Sequence, residues 1–338
     1  MQGTLLNTVT FSELTDLIRK QFVQVQKMVV PQAQQLFIKD PIAKGQGNTK
    51  RYDEIDTQTY ARTKREGEAA KKASVGIGYN VTMTKKRIAL EIDITQEMRD
   101  ENRHPEVGSL ITQLTHFCPQ RVELDLTHRL SFASSTSYVD MDGDTVSTVV
   151  GDSLALASAV HTTKFSATTY SNRVSGDPVF SRGALEGAET LATTNILSNF
   201  GERRVMSFNA IITGDDPNTV NSVKQFLEST ADVDAAHAGV MNVYKGKYRH
   251  IVLPQLATTA TGAHDSTKRR WWFLGAIGQG VAGWQAYYGV WEESHLKPVT
   301  ENGANHDYSR DIWTYGTRAG YGSVVVSGRG LIASLPTS

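Results

Sequence analysis

Hydrophobic and polar residues alternate strictly between Arg87 and Thr95, in the segment RIALEIDIT. Aliphatic side chains occupy one side of the extended chain, and small, acidic or hydroxyl side chains occupy the other. A period of two residues is typical of a β-strand with one dry face and one wet face. The sequence before this strand is too polar to build a core for it, so its dry face needs a surface from elsewhere.

This strand ends a predicted hairpin over residues 50–95. RYDEIDTQTYART predicts a polar first strand, KREGEAAKKASVG a charged, mobile tip, and IGYNVTMTKKRIALEIDIT the return strand. The apolar positions change phase at TKKR, which predicts a bulge or bend. An isolated hairpin is marginal in water and leaves backbone groups unpaired at its edges. Either it packs on its own domain, or another chain completes it.

The longest helical pattern covers residues 105–133. Its apolar stripe follows the 3.6-residue period and consists of Val107, Leu110, Ile111, Leu114, Phe117, Cys118, Val122, Leu126 and Leu130. Pro105 suits the first turn, whereas Pro119 is expected to kink or split the helix. About 28 residues at 1.5 Å each would span roughly 40 Å, which is longer than a compact domain usually needs.

The other stretches predict a mixture of helices and mainly antiparallel strands, and hence an α+β fold. Residues 11–39 predict one or two helices with Ser12 as a cap. Asp216 and Pro217 predict the start of a helix over 215–229. The remaining predicted elements are short strands and turns over 134–180, a helix over 180–200, two strands about a Lys-Gly turn over 241–256, and strands over 204–213, 269–277 and 311–334.

Composition and charge exclude several classes of protein. Basic and acidic residues number 35 each, so the formal net charge is zero. Tight binding of nucleic acid through its phosphates usually needs a basic excess, so only weak contact is expected. The one cysteine, Cys118, excludes an intrachain disulfide and a cysteine-based metal site. No signal peptide and no apolar run of about 20 residues is present, so a membrane span is not expected.

Two motifs match cofactor or metal sites only in part. GQGVAG, residues 278–283, has the letters of a dinucleotide fingerprint, but Gly289 and Pro298 interrupt the helix that should follow. DMDGDTVSTVVGD has aspartates at calcium-loop spacing from Asp140 to Asp144, yet it lacks the required glycine and glutamate at its sixth and twelfth positions. We expect no cofactor and no metal ion at either motif.

Catalytic patterns are equally incomplete. GDSLA around Ser153 resembles half of a nucleophile elbow, but Ala155 replaces the second glycine. His104, His116 and His128 recur every twelve residues, which places them roughly 18 Å apart along a helix, too far to share a metal ion. We expect no catalytic residue.

The order of the parts resembles the major capsid protein of tailed bacteriophages, whose Hong Kong phage capsid fold is shared with encapsulins. The phrases TTYSNRVSGDPVFSRGALEGA, NVYKGKYRHIVLPQL and RRWWFLGA resemble segments of phage coat proteins. The resemblance implies five parts: an N-terminal arm (1–48), an E-loop hairpin (49–98), a P-domain (99–179) with a spine helix at about 104–133, an A-domain (180–300) and return strands to the P-domain (301–338).

The resemblance also implies a role. The chain would self-assemble into pentamers and hexamers of an icosahedral head shell that encloses double-stranded DNA in the virion, after assembly in the host cytoplasm. Its partners would be copies of itself, a scaffolding protein and a portal protein, with a decoration protein in some members. Contact with the DNA would be non-specific, and no membrane would be involved. Because an E-loop crosses the adjacent subunit, the strand at Arg87–Thr95 would lie on a neighbouring copy, and the arm would pack across one.

The family suggests a modification and leaves alternatives. Since the chain starts almost directly at the arm, we expect scaffolding to be a separate or removed segment. Some members form isopeptide bonds between a hairpin lysine and a neighbour's asparagine, although most members lack them. The candidates here are Lys64, Lys71, Lys72, Lys85 and Lys86 as donors, and Asn302 and Asn305 as acceptors. The alternative functions are an encapsulin-type compartment shell and an enzyme with a cryptic site near Ser153 or Gly278.

Overall fold

The computed structural model describes most of the chain. The described residues are Asp16, 18–20, 22–24, 31–57, 60–72, 75–101, 104–231, 241–280, 283–297, 306–307 and 309–337. The predicted cap at Ser12 and the candidate acceptors Asn302 and Asn305 lie outside these residues.

The fold is α+β, as predicted. The helices are α1 (Gln96–Asp100), α2 (His104–Ser131), α3 (Arg182–Thr194) and α4 (Pro217–Glu228). The strands of the first half are β1 (Ile38–Pro41), β2 (Thr49–Thr57), β3 (Val75–Thr84), β4 (Lys86–Thr95), β5 (Ser137–Val139), β6 (Thr145–Ser147), β7 (His161–Thr162) and β8 (Thr169–Tyr170). The strands of the second half are β9 (Ala210–Thr213), β10 (Arg249–Val252), β11 (Trp272–Gly275), β12 (Ala286–Leu296), β13 (His306–Asp307), β14 (Ile312–Val325) and β15 (Leu331–Ser334).

The larger sheet is built around β14. On one side β14 pairs antiparallel with β12 and with the short β13. On its other side it pairs antiparallel with β4, from Thr95 opposite Ile312 to Lys86 opposite Tyr321. β1 pairs parallel with β12 and ends the sheet. The sheet therefore joins segments from the beginning, the first third and the end of the chain.

The expectation that the strand at Arg87–Thr95 lies on a neighbouring copy is wrong. Its partner is β14 of the same molecule, and Ile94 on its dry side is buried with Ile111 of α2 and with Trp313 and Tyr315 of β14. Ile18, from the helical part of the arm, is buried in the same cluster, so the arm also contacts its own chain. Local sequence could not reveal this surface because its aromatic half comes from the far end of the chain.

The smaller sheet lies between two hydrophobic clusters. Its strand order is β10-β9-β11-β15, with β9 and β10 parallel and the other neighbours antiparallel. Ile212 and Phe273 point to one side and pack with Leu126 of α2. Ile211 and Trp272 point to the other side and pack with α3 and α4. Consecutive strand residues thus bury opposite faces, which explains why these short strands read as continuous apolar runs.

Helix α2 is continuous for 28 residues, about 42 Å at 1.5 Å per residue. Pro119 lies inside it and does not split it. Seven of the nine positions of the predicted stripe are buried, and Leu110 and Phe117 are half-buried. The buried positions are Val107, Ile111, Leu114, Cys118, Val122, Leu126 and Leu130. One long helix therefore carries core residues of both the larger sheet and the smaller sheet.

Several predicted boundaries change. The helix predicted over 180–200 begins after the cap Ser181 and ends at Thr194. Of the two strands predicted over 241–256, only β10 forms, because Asn242 and Gly246 hold the preceding segment in turns. In the described part of the chain, none of the helices is both long and apolar enough to span a bilayer.

Candidate functional site

The hairpin β2–β3 is attached to the rest of the molecule, called the body below, by a buried ionic contact. Arg329 Nη1 donates to Glu54 Oε1, and the two side chains are only 3% and 1% exposed. Asn199 Nδ2 donates to Glu54 Oε2 over 2.8 Å, and Arg329 Nη2 donates to Asn199 Oδ1 over 2.9 Å. Glu54, Asn199 and Arg329 are called the stem cluster below. They bring together a hairpin strand, a central loop and the segment between β14 and β15.

Aromatic and charged side chains extend the stem cluster into the body. The guanidinium of Arg329 lies 5.0 Å from the ring centre of Tyr170, which stacks on His161 at 5.0 Å. Asp152 Oδ2 accepts a hydrogen bond from His161 Nδ1 over 2.8 Å. Burial opposes ionisation of Asp152, but the interactions with His161 and the hydrogen bonds from the backbone N–H groups of Leu154 and Thr162 together outweigh it and lower the Asp152 pKa. Each buried carboxylate and guanidinium here therefore has a polar partner within hydrogen-bond distance.

The end of the hairpin, residues 60–72, contrasts with its stem and is called the tip below. All of its residues are exposed. Its charged side chains are Arg62, Lys64, Arg65, Glu66, Glu68, Lys71 and Lys72, so the tip is basic. Its ion pair with the body is Arg62 to Glu202 at 3.9 Å, a distance typical of a weak surface contact. The tip therefore adds little to the core of its own molecule.

The aspartates at calcium-loop spacing form ion pairs instead. Asp140 accepts hydrogen bonds from Lys86 Nζ at 2.5 Å and Arg121 Nη2 at 3.2 Å, and Arg121 also pairs with Asp142 at 2.9 Å. Burial alone would raise the Asp140 pKa, but the hydrogen bonds from Lys86 and backbone N–H groups lower it. Within the described residues there is no group of three metal ligands.

The surroundings of Ser153 do not assemble a nucleophile and a base. Ser153 is exposed with a positive φ of 65°. The histidine nearest in sequence, His161, is fully buried, and its Nε2 lies 3.2 Å from the carbonyl oxygen of Leu156. Both nitrogens of that ring are therefore engaged, with Asp152 and Leu156, and neither contacts the Ser153 hydroxyl.

The glycine motif at 278–283 lies between two strands. Gly278 and Gly280 have positive φ values of 78° and 57°, which suits a tight turn after β11. The next regular element is the strand β12, whereas a dinucleotide fingerprint requires a helix there. The geometry that would place a pyrophosphate at a helix N-terminus is thus missing from the described residues that surround the motif.

No protein-family profile and no curated protein sequence matches this chain. A solved structure from Microbacterium phage Oxtober96 is 10% identical, with 90% of each chain covered and a TM-score of 0.50. Another, from Mycobacterium phage Adephagia, is 12% identical, with 98% of each chain covered and a TM-score of 0.50. The fold is that of tailed-phage major capsid proteins. The procapsid of bacteriophage JBD30 is also similar, at 10% identity over 98% of this chain and 77% of its own, with a TM-score of 0.49.

The capsid fold places the candidate cross-linking lysines in two different environments. Lys64, Lys71 and Lys72 lie on the exposed tip, where a second chain could reach them. Lys86 Nζ is held between Asp125 and Asp140, and Lys85 lies at the break between β3 and β4. The structure thus separates accessible tip lysines from Lys86, which has a role inside its own chain.

The three histidines of the predicted series are spread along α2 of the capsid fold. His128 is 1% exposed and its Nε2 lies 3.2 Å from Thr258 Oγ1. Burial lowers the His128 pKa to about 4, so the ring is neutral near pH 7. Cys118 is buried in the same helix, and burial raises the pKa of its thiol, which disfavours the reactive thiolate.

No pattern in the sequence predicts the stem cluster. Glu54 occurs in a polar strand, Asn199 follows a helix, and Arg329 is flanked by glycines, so none of them carries a local pattern. The one available signal is the pair of glycines Gly76 and Gly78 in β3, because a glycine inside a strand often marks close approach of another backbone. Their neighbours are Phe165 and Asn199, which no spacing rule connects with them.

Proposed function

We propose that this chain is the major capsid protein of a tailed phage, a structural subunit that self-assembles into pentamers and hexamers of an icosahedral shell around double-stranded DNA. The observation that carries the proposal is the capsid fold, which the chain shares over 98% of its length with the structure from phage Adephagia. Because the likeness covers 98% of both chains, it spans the residues of the hairpin and the long helix as well as those of the two sheets.

In this proposal each part of the chain has a role in the shell. Residues 1–48 form the arm, 49–98 the E-loop, 99–179 the P-domain with α2 as spine helix, 180–300 the A-domain, and 301–338 the return strands. Within residues 301–338, β14 belongs to the larger sheet and β15 to the smaller one. We propose that the exposed tip, and not β4, contacts a neighbouring copy.

The proposed partners follow from this role. Neighbouring copies would make head-to-tail contacts, which close into rings when the rotation between subunits permits. A separate scaffolding protein, a portal protein and, in some shells, a decoration protein would complete the head. Contact with DNA would be weak, because the sequence has no basic excess. The proposed location is the virion, after assembly in the host cytoplasm.

Electron microscopy and sedimentation of the expressed chain test the proposal. We expect closed particles, formed alone or with a co-expressed scaffolding protein. A chain that stays monomeric in every condition, with and without that protein, contradicts the proposal. Particles that package a protein cargo and no DNA favour the encapsulin-type shell. Nucleotide binding by calorimetry, or an activity that Ser153→Ala abolishes, favours the cryptic enzyme.

Shortening the tip tests the surface through which copies would contact each other. Deletion of residues 62–72 should leave circular dichroism and the melting temperature near those of the parent, while the yield of particles falls. Val75 and Gly76 must be kept, because β3 begins there. A control variant replaces 62–72 by glycine and serine at equal length. If the shortened chain fails to fold, the tip belongs to its own core and this part of the proposal is wrong.

A further inference from the structure

The stem cluster joins the hairpin to the body through buried polar side chains. We propose that Glu54, Asn199 and Arg329 act as a latch that fixes the direction in which hairpin β2–β3 leaves the body. The tip is then presented to a second copy in a preset orientation. Only this last consequence rests on the proposed function, because the latch itself is a property of one chain.

The latch is ionic and deeply buried. Arg329 donates to Glu54, to Asn199 Oδ1 at 2.9 Å, and through Nε to the carbonyl oxygen of Leu197 at 2.6 Å. Buried charges keep their partners because an unpaired charge in an apolar environment is strongly unfavourable. The hairpin therefore cannot swing away from the body without exposing or unpairing both Glu54 and Arg329, so intermediate orientations are disfavoured.

Glycines allow the hairpin to approach the body closely, and this close approach limits the angle between them. A Cβ atom on Gly78 would lie 2.6 Å from Asn199 Nδ2, and one on Gly76 would lie 2.4 Å from the ring of Phe165. From the body side, a Cβ on Gly151 would lie 2.5 Å from Cβ of Tyr79. Three close approaches on one interface restrict sliding and tilting of the hairpin against the body.

Polar contacts hold both strands of the hairpin, so rotation about its long axis is also opposed. On β2, Asp56 Oδ2 accepts a hydrogen bond from the backbone N–H of Asn199 at 2.8 Å. On β3, Lys164 Nζ donates to the carbonyl oxygen of Gly78 at 2.6 Å, and Tyr79 Oη lies 2.8 Å from Thr162 Oγ1. The fixed part of the hairpin therefore extends to about Asp56 and Gly76, and the exposed tip begins beyond it.

A distance distribution between two spin labels on one chain tests the latch. One label is placed on the stem by Ile77→Cys, which is 59% exposed, and one on α4 by Gln225→Cys, which is also exposed. Labelled chains are diluted with unlabelled protein and measured as unassembled subunits. The buried Cys118 is not expected to react. We expect one narrow distribution for the parent.

Glu54→Gln removes the charge from the latch and should broaden this distribution at least about twofold, because the stem then samples several orientations. The matched control is Asp53→Asn, which breaks the neighbouring but exposed ion pair with Arg51 on the same strand. It should leave the distribution unchanged. If Glu54→Gln does not fold, Gly78→Ala tests the same interface by crowding Asn199, and it should shift or broaden the distribution.

Three results overturn the proposal: a broad distribution in the parent, equal widths in the parent and Glu54→Gln, or equal broadening in Asp53→Asn. If only Gly78→Ala folds, an unchanged distribution overturns it. The measurement uses subunits that have not assembled, so its outcome does not depend on whether the chain forms shells. Particle formation is scored separately by electron microscopy. A working latch in a chain that never assembles would leave this inference standing and remove the proposed function.

Discussion

At the scale of single residues, several buried charges in this protein are matched by partners from distant parts of the chain. Asp125 on α2 accepts hydrogen bonds from Arg121 at 3.0 Å, from Lys86 on β4 at 3.1 Å and from the hydroxyl of Tyr321 on β14. The spacing of four residues on a helix predicts only the first of these contacts. The other two depend on the pairing of β4 with β14, which the sequence does not reveal.

Tyr321→Phe tests the contribution of one such contact. The variant removes a hydroxyl donor from the buried carboxylate of Asp125 and should lower the free energy of unfolding by roughly 1.5–3 kcal/mol, the range for hydrogen bonds to charged groups. Urea denaturation measures the change. Tyr60→Phe is the control, because Tyr60 is 58% exposed and its hydroxyl should matter by less than about 0.5 kcal/mol. Equal effects of the two substitutions would show that the buried contact is unimportant.

His128 should make stability dependent on pH. Its pKa falls from 6.5 to about 4 on burial, so the unfolded chain takes up a proton on acidification before the folded chain does. The stability that the neutral ring retains above pH 6.5 is therefore lost progressively as pH falls toward 4, to a total on the order of 3 kcal/mol. Unfolding measured at pH 7 and pH 5 in the parent and in His128→Gln checks this expectation. An unaltered pH dependence in the variant contradicts it.

At the scale of elements, the local sequence predicts a helix or strand well when neighbouring residues determine its first residue, its last residue and its buried face. Helix α4 begins at Pro217 after the cap Asp216, as predicted, and α2 buries most of the predicted stripe. Strands were predicted less accurately, because the residues that pack against them come from distant parts of the chain. The segment before β10 forms turns, and β4 rests on β14 of its own chain. The stem cluster could not be predicted for the same reason, since its members share no local pattern.

Asp216→Ala tests the start of α4. Asp216 accepts a hydrogen bond from the backbone N–H of Thr219 at 3.2 Å and also pairs with Arg269 at 2.9 Å. Loss of a helix cap alone typically costs about 1 kcal/mol, so the free energy of unfolding should fall by about that amount or more. Asp215→Ala is the matched control, since Asp215 is adjacent and exposed. A change of similar size in the control would mean that general charge, and not the cap, matters.

At the scale of the whole molecule, zero net charge conceals an uneven distribution. The tip carries an excess of basic side chains, and every one of its residues is exposed, so the rest of the chain carries a compensating acidic excess. If the tip contacts a second copy, this difference in charge would draw the two surfaces together, and the attraction would weaken with added salt. Assembly, unlike folding, should therefore be sensitive to the charge of the tip.

Reversal of charge at Lys64 and Lys71 tests this expectation. Lys64→Glu combined with Lys71→Glu should reduce particle yield several-fold and leave the melting temperature within about 2 °C, because exposed side chains contribute little to stability. Sedimentation velocity gives the yield, and thermal unfolding gives the melting temperature. The double variant Lys64→Arg with Lys71→Arg keeps the charge and should assemble like the parent. Normal yield after charge reversal would argue against an electrostatic contact through the tip.

The pairing of β4 with β14 has a consequence for synthesis on the ribosome. The partner of β4 is translated only near the end of the chain, and at 5–20 residues per second the wait is on the order of tens of seconds. During that interval the nascent chain exposes an alternating strand with both edges open, which invites pairing with other polypeptides. Slow codons or a holding chaperone that acts before the last strands emerge would therefore govern how much of this protein reaches its native topology.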